Sequence, residues 1–135
     1  MIRLIVLFLL VFSFSPAVWA EEEGSISGLP LPRFATLKSD NVYMRTGPSM
    51  DYPIRWIYKR EGLPVEIIQE FDAWRRIKDP EGETGWVHKI LLSGKRSAVI
   101  KSKDDALAYD SDDLVRAVAK LSSGYQITVE RCDKR

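Results

Sequence analysis

The sequence is poor in the residues that most enzyme and metal sites need, since it holds one cysteine, Cys132, and one histidine, His88. A single cysteine cannot form a disulfide within the chain and could pair only between chains. A nucleophilic cysteine requires a nearby base, and no catalytic signature surrounds either residue. Zinc requires three or four ligands, which is more than these two residues supply. We therefore expect neither a Cys–His catalytic pair nor a metal site.

The chain also lacks a glycine loop for phosphate binding. Its neighbouring carboxylates, at residues 21–23, 104–105 and 112–113, lie in stretches with the composition of a tether or a turn. A catalytic carboxylate pair needs an enclosing cleft that separates the two pKa values. The sequence accordingly predicts no catalytic residue and no cofactor, and therefore a protein that is not an enzyme.

Charge of either sign is not in excess. The 20 basic and 19 acidic residues give a net charge of +1. If residues 1–20 are removed, Arg3 goes with them and the two numbers become equal. A near-neutral surface has little electrostatic attraction for nucleic acid or for an anionic membrane. We expect neither of them as the partner.

Residues 1–20 have the three parts of a secretory signal peptide. Arg3 provides the positive charge, residues 4–12 form an apolar run, and residues 18–20 resemble a cleavage site. The apolar run is too short to cross a bilayer, which takes about 20 residues. We predict cleavage after Ala20, a periplasmic or secreted protein, and no stable membrane span after cleavage. An uncleaved N-terminal anchor is the alternative.

The next stretch, residues 21–33, is predicted to be a flexible tether. It begins with acidic and small residues and continues with Pro30 and Pro32. Proline restricts its own backbone and that of the preceding residue to extended conformations. The tether therefore leads into the first strand of a folded module.

Beyond the tether, short runs of alternating apolar residues separated by turn residues indicate β-strands. Glycine and proline at 47–48 and the sequence Asp-Pro-Glu-Gly at 79–82 suit turns. In the longest strand, the period of two places Val65, Ile67 and Phe71 on one face. Five or six short strands at this spacing predict a small barrel, because closure removes exposed sheet edges.

Four motifs in this region resemble the bacterial SH3 (SH3b) family. Residues 42–49, VYMRTGPS, resemble the family's opening LNVRSGPS, and residues 61–67, EGLPVEI, resemble its KGxxVxV strand. Residues 74–77, WRRI, are similar to its WxKV element, and residues 82–88, GETGWVH, to its closing GxxGWV. The motifs follow one another in the order of the family. The resemblance implies an all-β fold with a small SH3-like barrel over residues 34–93.

Structural roles are expected for several residues around the last two motifs. The resemblance implies that Trp74 and Trp86 lie in the barrel core. His88 is expected to face solvent at the end of a strand, and residues 90–92 to pack behind that strand.

The candidate binding residues are Tyr52, Trp56, Tyr58 and Arg75. The first three lie on or beside the loop that borders the ligand groove in SH3-like barrels. Aromatic side chains with a polar edge bury a large area at low entropy cost. Arg75 alternates away from Trp74 along its strand and could bind a ligand carboxylate. In the alternative interpretation, Trp56 and Tyr58 only cover one end of the small core.

Residues 96–135 resemble an incomplete second SH3-like repeat. Residues 96–102 restart the opening strand, and residues 122–129 reproduce the strand at 62–67. The alanine-rich residues 115–121 would suit a helix by their spacing, but the repeat predicts a strand. Counterparts of the WRRI and GWV motifs are missing, which leaves an open sheet edge. We expect a chain shortened from a longer parent, or else a half-module that adds its strands to the first module or to a partner.

These expectations combine into a non-catalytic SH3-type binding module of the cell envelope. The resemblance implies recognition of a peptidoglycan peptide or of a periplasmic protein. The alternative is a structural or interaction protein of an envelope complex without affinity for the cell wall. Self-association through Cys132 or through the open second repeat would favour that alternative.

Overall fold

The computed structural model describes residues 25–132, so the predicted signal peptide and its cleavage site lie outside the described residues. Within this range the chain forms eleven short strands and one turn of 3-10 helix, without an α-helix. The strands are β1 (Arg33–Leu37), β2 (Val42–Arg45), β3 (Ile54–Tyr58), β4 (Pro64–Phe71), β5 (Trp74–Lys78), β6 (Thr84–His88), β7 (Leu92–Ser93), β8 (Arg96–Val99), β9 (Ala106–Tyr109), β10 (Ala117–Leu121) and β11 (Gln126–Val129). The 3-10 turn is Lys89–Leu91. The predicted all-β class is confirmed.

Strands β1 to β7 form one sheet in the order β3-β2-β6-β5-β4-β1-β7, and all its pairs are antiparallel. The two end strands, β3 and β7, are not hydrogen-bonded to each other. The prediction of a barrel closed on itself is therefore wrong. Strand β7 contains only Leu92 and Ser93, and it pairs with β1 alone among the strands of this sheet.

Side chains from six strands of this sheet meet in one hydrophobic core. Its buried members are Ala35, Leu37, Val42, Met44, Tyr58, Val65, Ile67, Ile77 and Val87. Alternate residues of β2, β4 and β6 point into the core, as the period of two requires. Full burial of a Val, Leu, Ile or Met side chain contributes about 1.5–3 kcal/mol. The core thus holds the sheet in its bent shape around a small volume.

Phe71 does not share a face with Val65 and Ile67, and that prediction is wrong. The pairing of β4 with β5 shifts register between Ile67 and Gln69, which is the mark of a β-bulge. An extra residue in one strand reverses the face on which the following side chains lie. Phe71 is consequently 56% exposed at the end of β4.

The two tryptophans near the closing motif lie outside the core cluster as well. Trp86 alternates with the buried Gly85 and Val87, and it therefore lies on the outer face of β6, where it is half-buried. Trp74 is buried, but alternation with Ile77 places it on the opposite face of β5 from the core. The prediction that Trp74 is buried is confirmed, but Trp74 is buried on the face of β5 opposite the core and not in the core.

The part of the predicted tether that the structure describes is held against β4. The backbone N–H and hydroxyl of Ser27 donate to the Glu70 carboxylate over 2.7 Å each, and the Ser25 hydroxyl donates over 3.2 Å. Leu31 packs against the core. These contacts fix the approach of the chain to β1.

Strands β8 to β11 form two separate two-stranded sheets, β8 with β11 and β9 with β10. The alanine-rich segment is strand β10, as expected, and not a helix. Hydrogen bonds join this part to the seven-stranded sheet at the turn before β4: Ser97 Oγ donates to the Gly62 carbonyl over 2.6 Å, and Arg60 donates to the Gly124 carbonyl over 2.9 Å. Among residues 25–132, no helix has the length and apolar character needed to span a membrane.

Candidate functional site

A concave surface of about 350 Å³ lies on the outer face of the seven-stranded sheet. We call it the aromatic cleft, and its lining residues are Tyr43, Arg45, Met50, Trp74, His88, Ile90 and Leu91. They come from β2, the loop after β2, the start of β5, the end of β6 and the 3-10 turn. Ligand sites in proteins are typically concave and mostly apolar, with a few polar groups at fixed positions.

The floor of the cleft is set by the register of the β5–β6 hairpin. Trp74 and His88 are direct cross-strand partners, and their rings meet edge to face with centroids 5.4 Å apart at 85°. An edge-to-face pair is worth about 0.5–1.5 kcal/mol beyond the area it buries. This contact keeps both rings in place before any ligand arrives.

One wall is the 3-10 turn that follows β6. The Ile90 backbone N–H donates to His88 Nδ1 over 3.4 Å, and the Lys89 N–H donates to the Ala73 carbonyl over 2.8 Å. Ile90 itself is exposed rather than packed behind β6, while Leu91 and Leu92 do pack against the core. The turn thus presents an apolar side chain to solvent beside His88.

The opposite wall is the loop between β2 and β3, which carries Met50. The Thr46 N–H donates to the Pro53 carbonyl over 3.1 Å, and an Arg45 guanidinium nitrogen donates to the Tyr52 carbonyl over 2.7 Å. The Tyr52 ring lies on the backbone of Gly47, where a Cβ would come within 2.5 Å of it. A guanidinium has five N–H donors, so Arg45 retains donors for a ligand carbonyl or carboxylate.

The structure does not bring the four predicted binding residues into one surface. Tyr52 and Trp56 are exposed, at 46% and 54% of their maximum. Trp56 lies opposite Met44 on the edge strand β3, and neither aromatic residue lines the aromatic cleft. Tyr58 and Arg75 are buried, at 5% and 6% exposure.

Tyr58 is a core residue with a specific polar partner. Its hydroxyl donates to Asp79 Oδ2 over 3.0 Å and lies 3.4 Å from Met44 Sδ. Burial raises the pKa of Tyr58, and the hydrogen bond to Asp79 raises it further. Asp79 Oδ1 in turn accepts the N–H groups of Glu81 and Glu83, each over 2.9 Å. The phenol therefore connects β3 with the turn between β5 and β6.

Arg75 is likewise used by the fold. Its Nε lies 3.2 Å from Glu70 Oε1, and its Nη1 donates to the carbonyls of Asp72 and Trp74 over 2.9 and 2.8 Å. Arg33 binds the same Glu70 oxygen over 2.6 Å. Two guanidinium groups and the hydroxyls of the preceding segment thus surround one buried carboxylate.

The environment of Glu70 shifts its protonation strongly. Burial alone would raise the pKa of Glu70, because it disfavours the charged form. The hydrogen bonds from Ser27 and Arg33 and the charge of Arg75 outweigh burial and lower the pKa to about 2. Glu70 is consequently ionised at any physiological pH.

A larger cavity of about 510 Å³ lies between β4 and β8. Its rim carries the ion pair between Lys78 and Glu66, at 3.0 Å, and that between Lys101 and Glu81, at 3.5 Å. Phe34 is its one aromatic lining residue. With its rim charges already paired, this cavity is a weaker candidate for ligand recognition than the aromatic cleft.

The aromatic cleft was not predicted from the sequence, because Trp74 was expected to lie in the core and His88 to face solvent at the end of a strand. A signal was present in the turn at Asp79–Gly82, since a hairpin centred on that turn places residues 74 and 88 opposite each other. Their ring contact could have been expected from this register. The exposed position of Ile90 had no comparable signal.

The chemistry of the cleft suits binding. Among residues 25–132, no group of three or more His, Cys, Asp and Glu side chains is placed to hold a metal ion. Cys132 is exposed and follows β11, whereas His88 belongs to β6. The cleft offers apolar and aromatic walls with a guanidinium at the rim, and the lining residues include no carboxylate or hydroxyl nucleophile other than the Tyr43 phenol.

Comparison with known proteins agrees with the motifs in the sequence. No curated protein matches the chain. Residues 38–94, which carry strands β2 to β7, match the family model of the bacterial SH3 domain, so the resemblance is confirmed for this segment. This part of the chain is therefore similar to a bacterial SH3 domain.

Proposed function

We propose that the seven-stranded unit is a non-catalytic binding module of the bacterial cell envelope and that its aromatic cleft binds a peptidoglycan peptide. The bacterial SH3 match supports a binding module as the general function. The observation that carries the finer proposal is the pre-formed cleft, in which Trp74 and His88 form a rigid floor below the exposed side chains of Tyr43, Met50 and Ile90.

A short wall peptide has the features that this cleft can recognise. Its small aliphatic side chains suit the apolar walls, and its carboxylates and carbonyls suit the guanidinium of Arg45. The near-zero net charge argues against a strongly charged polymer as the ligand. A periplasmic protein with an exposed peptide of the same character could use the same contacts.

Co-sedimentation with purified peptidoglycan sacculi tests the proposal. A double variant with Tyr43→Ala and Ile90→Ala removes two exposed cleft residues and should raise the apparent dissociation constant at least about tenfold, equivalent to about 1.4 kcal/mol. Trp56→Ala is the matched control, because the exposure of Trp56 (54%) lies between that of Tyr43 (39%) and that of Ile90 (65%), while Trp56 lies outside the cleft. Loss of binding in the control with full binding in the cleft variant would instead support recognition at Trp56 on the edge strand β3.

The second candidate function is an interaction protein of an envelope complex without affinity for the wall. The observation that favours it is the set of exposed apolar side chains in strands β9 and β10 and the loop between them, Leu107, Leu114, Val115 and Val118. The exposed Cys132 could join two chains. Light scattering with and without reductant, combined with the sacculus experiment, separates the two functions: self-association without wall binding supports this one.

Export to the periplasm or the cell exterior is part of the proposal. It rests on the signal-like composition of residues 1–20 and on the frequent envelope association of bacterial SH3 domains. N-terminal sequencing of the exported protein should begin at Glu21. A chain that starts at Met1 would contradict cleavage after Ala20.

A further inference from the structure

Another concave surface, of about 410 Å³, is lined by residues of β1, the start of β5, the 3-10 turn and β7. We call it the basic pocket, because its lining includes three positively charged side chains, Arg33, Arg75 and Lys89, and no carboxylate. The 3-10 turn borders both concave surfaces: Lys89 lines the basic pocket, whereas Ile90 and Leu91 line the aromatic cleft. The two surfaces therefore present different chemistry to a ligand.

The Glu70 carboxylate beside the basic pocket balances only part of this charge. Five donor groups already surround it, among them Arg33 Nη2 at 2.6 Å, Arg75 Nε at 3.2 Å and the hydroxyl of Ser27 at 2.7 Å. A carboxylate offers about four lone-pair sites, so Glu70 has no capacity for a further donor. Lys89 is exposed, and the ion pairs within residues 25–132 do not include it. The pocket thus keeps two positive charges in excess.

One nitrogen of Arg33 is not used by the fold. Nη2 donates to Glu70, but Nη1 is buried and has no hydrogen-bond partner among the described residues. Buried polar groups in folded proteins are nearly always hydrogen-bonded, because an unpartnered donor is destabilising. Since Glu70 cannot accept another hydrogen bond, the acceptor that suits Nη1 is an anionic group in the pocket that Arg33 lines. A small shift of the Arg33 side chain would bring the two together.

The rest of the lining indicates the kind of anion. Leu29 and Phe34 are exposed, at 51% and 67%, and Leu92 packs against the core behind them. The Ser93 hydroxyl accepts the Lys95 N–H over 3.3 Å, which leaves its own hydrogen to donate to a ligand. Inorganic phosphate has no apolar part that could cover Leu29 and Phe34. A carboxylate attached to a small aliphatic or aromatic group matches both the charged and the apolar side of the pocket.

We propose that the basic pocket binds a small organic carboxylate, as a site separate from the aromatic cleft. The carboxylate accepts hydrogen bonds from Arg33, Lys89 and Ser93. Its apolar substituent covers Leu29 and Phe34. Hydrogen bonds between a guanidinium and a carboxylate are charge-assisted and roughly twice as strong as those between neutral groups. The carboxylate belongs either to a free acid or to the C-terminal residue of a peptide, and the experiment separates these two sources.

A titration of the ¹⁵N-labelled protein with isovalerate at constant ionic strength tests the proposal. We expect saturable shifts of the amide signals of Arg33, Lys89, Ser93 and Gly94, without comparable shifts in the aromatic cleft. Isovaleramide has nearly the same shape without the charge and should cause no such shifts, and inorganic phosphate should bind at least about tenfold more weakly. Equal binding of isovaleramide or of phosphate would overturn the proposal. So would the absence of shifts with isovalerate, or shifts confined to the aromatic cleft.

A second titration, with N-acetylleucine, identifies the source of the carboxylate. This probe carries a peptide group next to its carboxylate, as the last residue of a peptide does. Tighter binding than that of isovalerate would identify the C-terminal residue of a peptide as the ligand. Equal or weaker binding would identify a free acid.

Substitutions in the pocket give the second test. Arg33→Lys keeps the positive charge but loses the guanidinium donors, and it should raise the dissociation constant of isovalerate at least about tenfold. Lys89→Ala removes an exposed charge without a contact to Glu70 and should raise the constant about two- to fivefold. Lys103→Ala is the matched control, because Lys103 is also exposed but does not line the pocket.

The amide spectrum of each variant shows whether it is folded, and Lys89→Ala tests the site even if Arg33→Lys unfolds the protein. The control should bind isovalerate as the wild type does. Equal weakening by Lys89→Ala and Lys103→Ala would show a general effect of net charge and would overturn the proposal. Unchanged binding in both pocket variants would overturn it as well.

Discussion

The Tyr58 hydroxyl donates a hydrogen bond to Asp79 Oδ2 over 3.0 Å inside the protein and so joins the edge strand β3 to the turn between β5 and β6. The same carboxylate accepts two backbone N–H groups of that turn. We predict that Tyr58→Phe lowers the free energy of unfolding by about 1–2 kcal/mol, because the buried carboxylate of Asp79 loses a hydrogen-bond donor. Urea denaturation followed by circular dichroism measures this change.

Tyr43→Phe is the matched control for Tyr58→Phe. Tyr43 lies on the neighbouring strand but is exposed, and its hydroxyl only accepts from the Asn41 amide over 3.3 Å. Its loss should change the free energy of unfolding by less than about 0.5 kcal/mol. Equal destabilisation by the two substitutions would show that the buried hydrogen bond to Asp79 stabilises the fold no more than the exposed hydroxyl of Tyr43 does.

Acid should destabilise the protein through Glu70. The folded state lowers the pKa of Glu70 from 4.5 to about 2, so the folded protein holds this carboxylate ionised where the unfolded chain binds a proton. The resulting stability is fully present above about pH 4.5 and is lost as the pH falls towards 2. The loss amounts to up to about 3 kcal/mol over this window. Urea midpoints measured between pH 7 and pH 2 give the curve.

Glu70→Gln separates this contribution from general acid denaturation. Glutamine keeps the size of the side chain but cannot ionise, so the variant should be less stable at pH 7 and should lose less stability than the wild type between pH 4.5 and 2. The half-buried Arg33 and the buried Arg75 would lose their counter-charge. A variant curve parallel to that of the wild type would contradict the assignment.

The short-range features of the fold were predictable from sequence because they depend on neighbouring residues. Asp79, Pro80 and Gly82 form the expected turn, in which the Gly82 N–H donates to the Asp79 carbonyl over 3.0 Å. Alternation of apolar residues placed the strands correctly along the chain. The order of the SH3-like motifs indicated the fold of residues 38–94.

The roles of Tyr58 and Arg75 depend on contacts that no local pattern reveals. Asp79, which accepts the hydrogen bond of Tyr58, is 21 residues away in the sequence. Ser27, which donates to Glu70, is 43 residues away. The sequence does not distinguish a tyrosine or arginine that is hydrogen-bonded inside the protein from one that binds a ligand at the surface. The bulge that turns Phe71 outward is similarly invisible, because it changes the period of two without a glycine or proline to mark it.

Gly85 should be intolerant of even the smallest side chain. A Cβ at this position would lie 2.5 Å from Met44 Cγ and 2.9 Å from the Arg45 carbonyl oxygen, where β6 approaches β2. Gly85→Ala forces the strands or the buried Met44 to move, and we expect a loss of about 1–3 kcal/mol in the free energy of unfolding. Thermal denaturation should show a lower Tm.

Gly94→Ala is the control for Gly85→Ala, because a Cβ there meets no atom within 4 Å and the backbone does not need a positive φ. We expect a change within about 0.5 kcal/mol, or slight stabilisation from the reduced freedom of the unfolded chain. If the two alanine variants had the same Tm, the close approach of β6 to β2 would not be the reason for a glycine at position 85.

Gly47→Ala should affect the aromatic cleft more than the stability of the fold. A Cβ at Gly47 would lie 2.5 Å from two ring carbons of Tyr52. The ring of Tyr52, which is partly exposed, must then move away from the backbone at position 47. The Tyr52 carbonyl anchors Arg45, and the loop carries Met50, so displacement of the loop alters one wall of the cleft. Because Tyr52 can move into solvent, the free energy of unfolding should fall by no more than about 1 kcal/mol. Sacculus binding should fall several-fold at the same time, and a variant that lost stability but kept its binding would show that this loop does not belong to the binding surface.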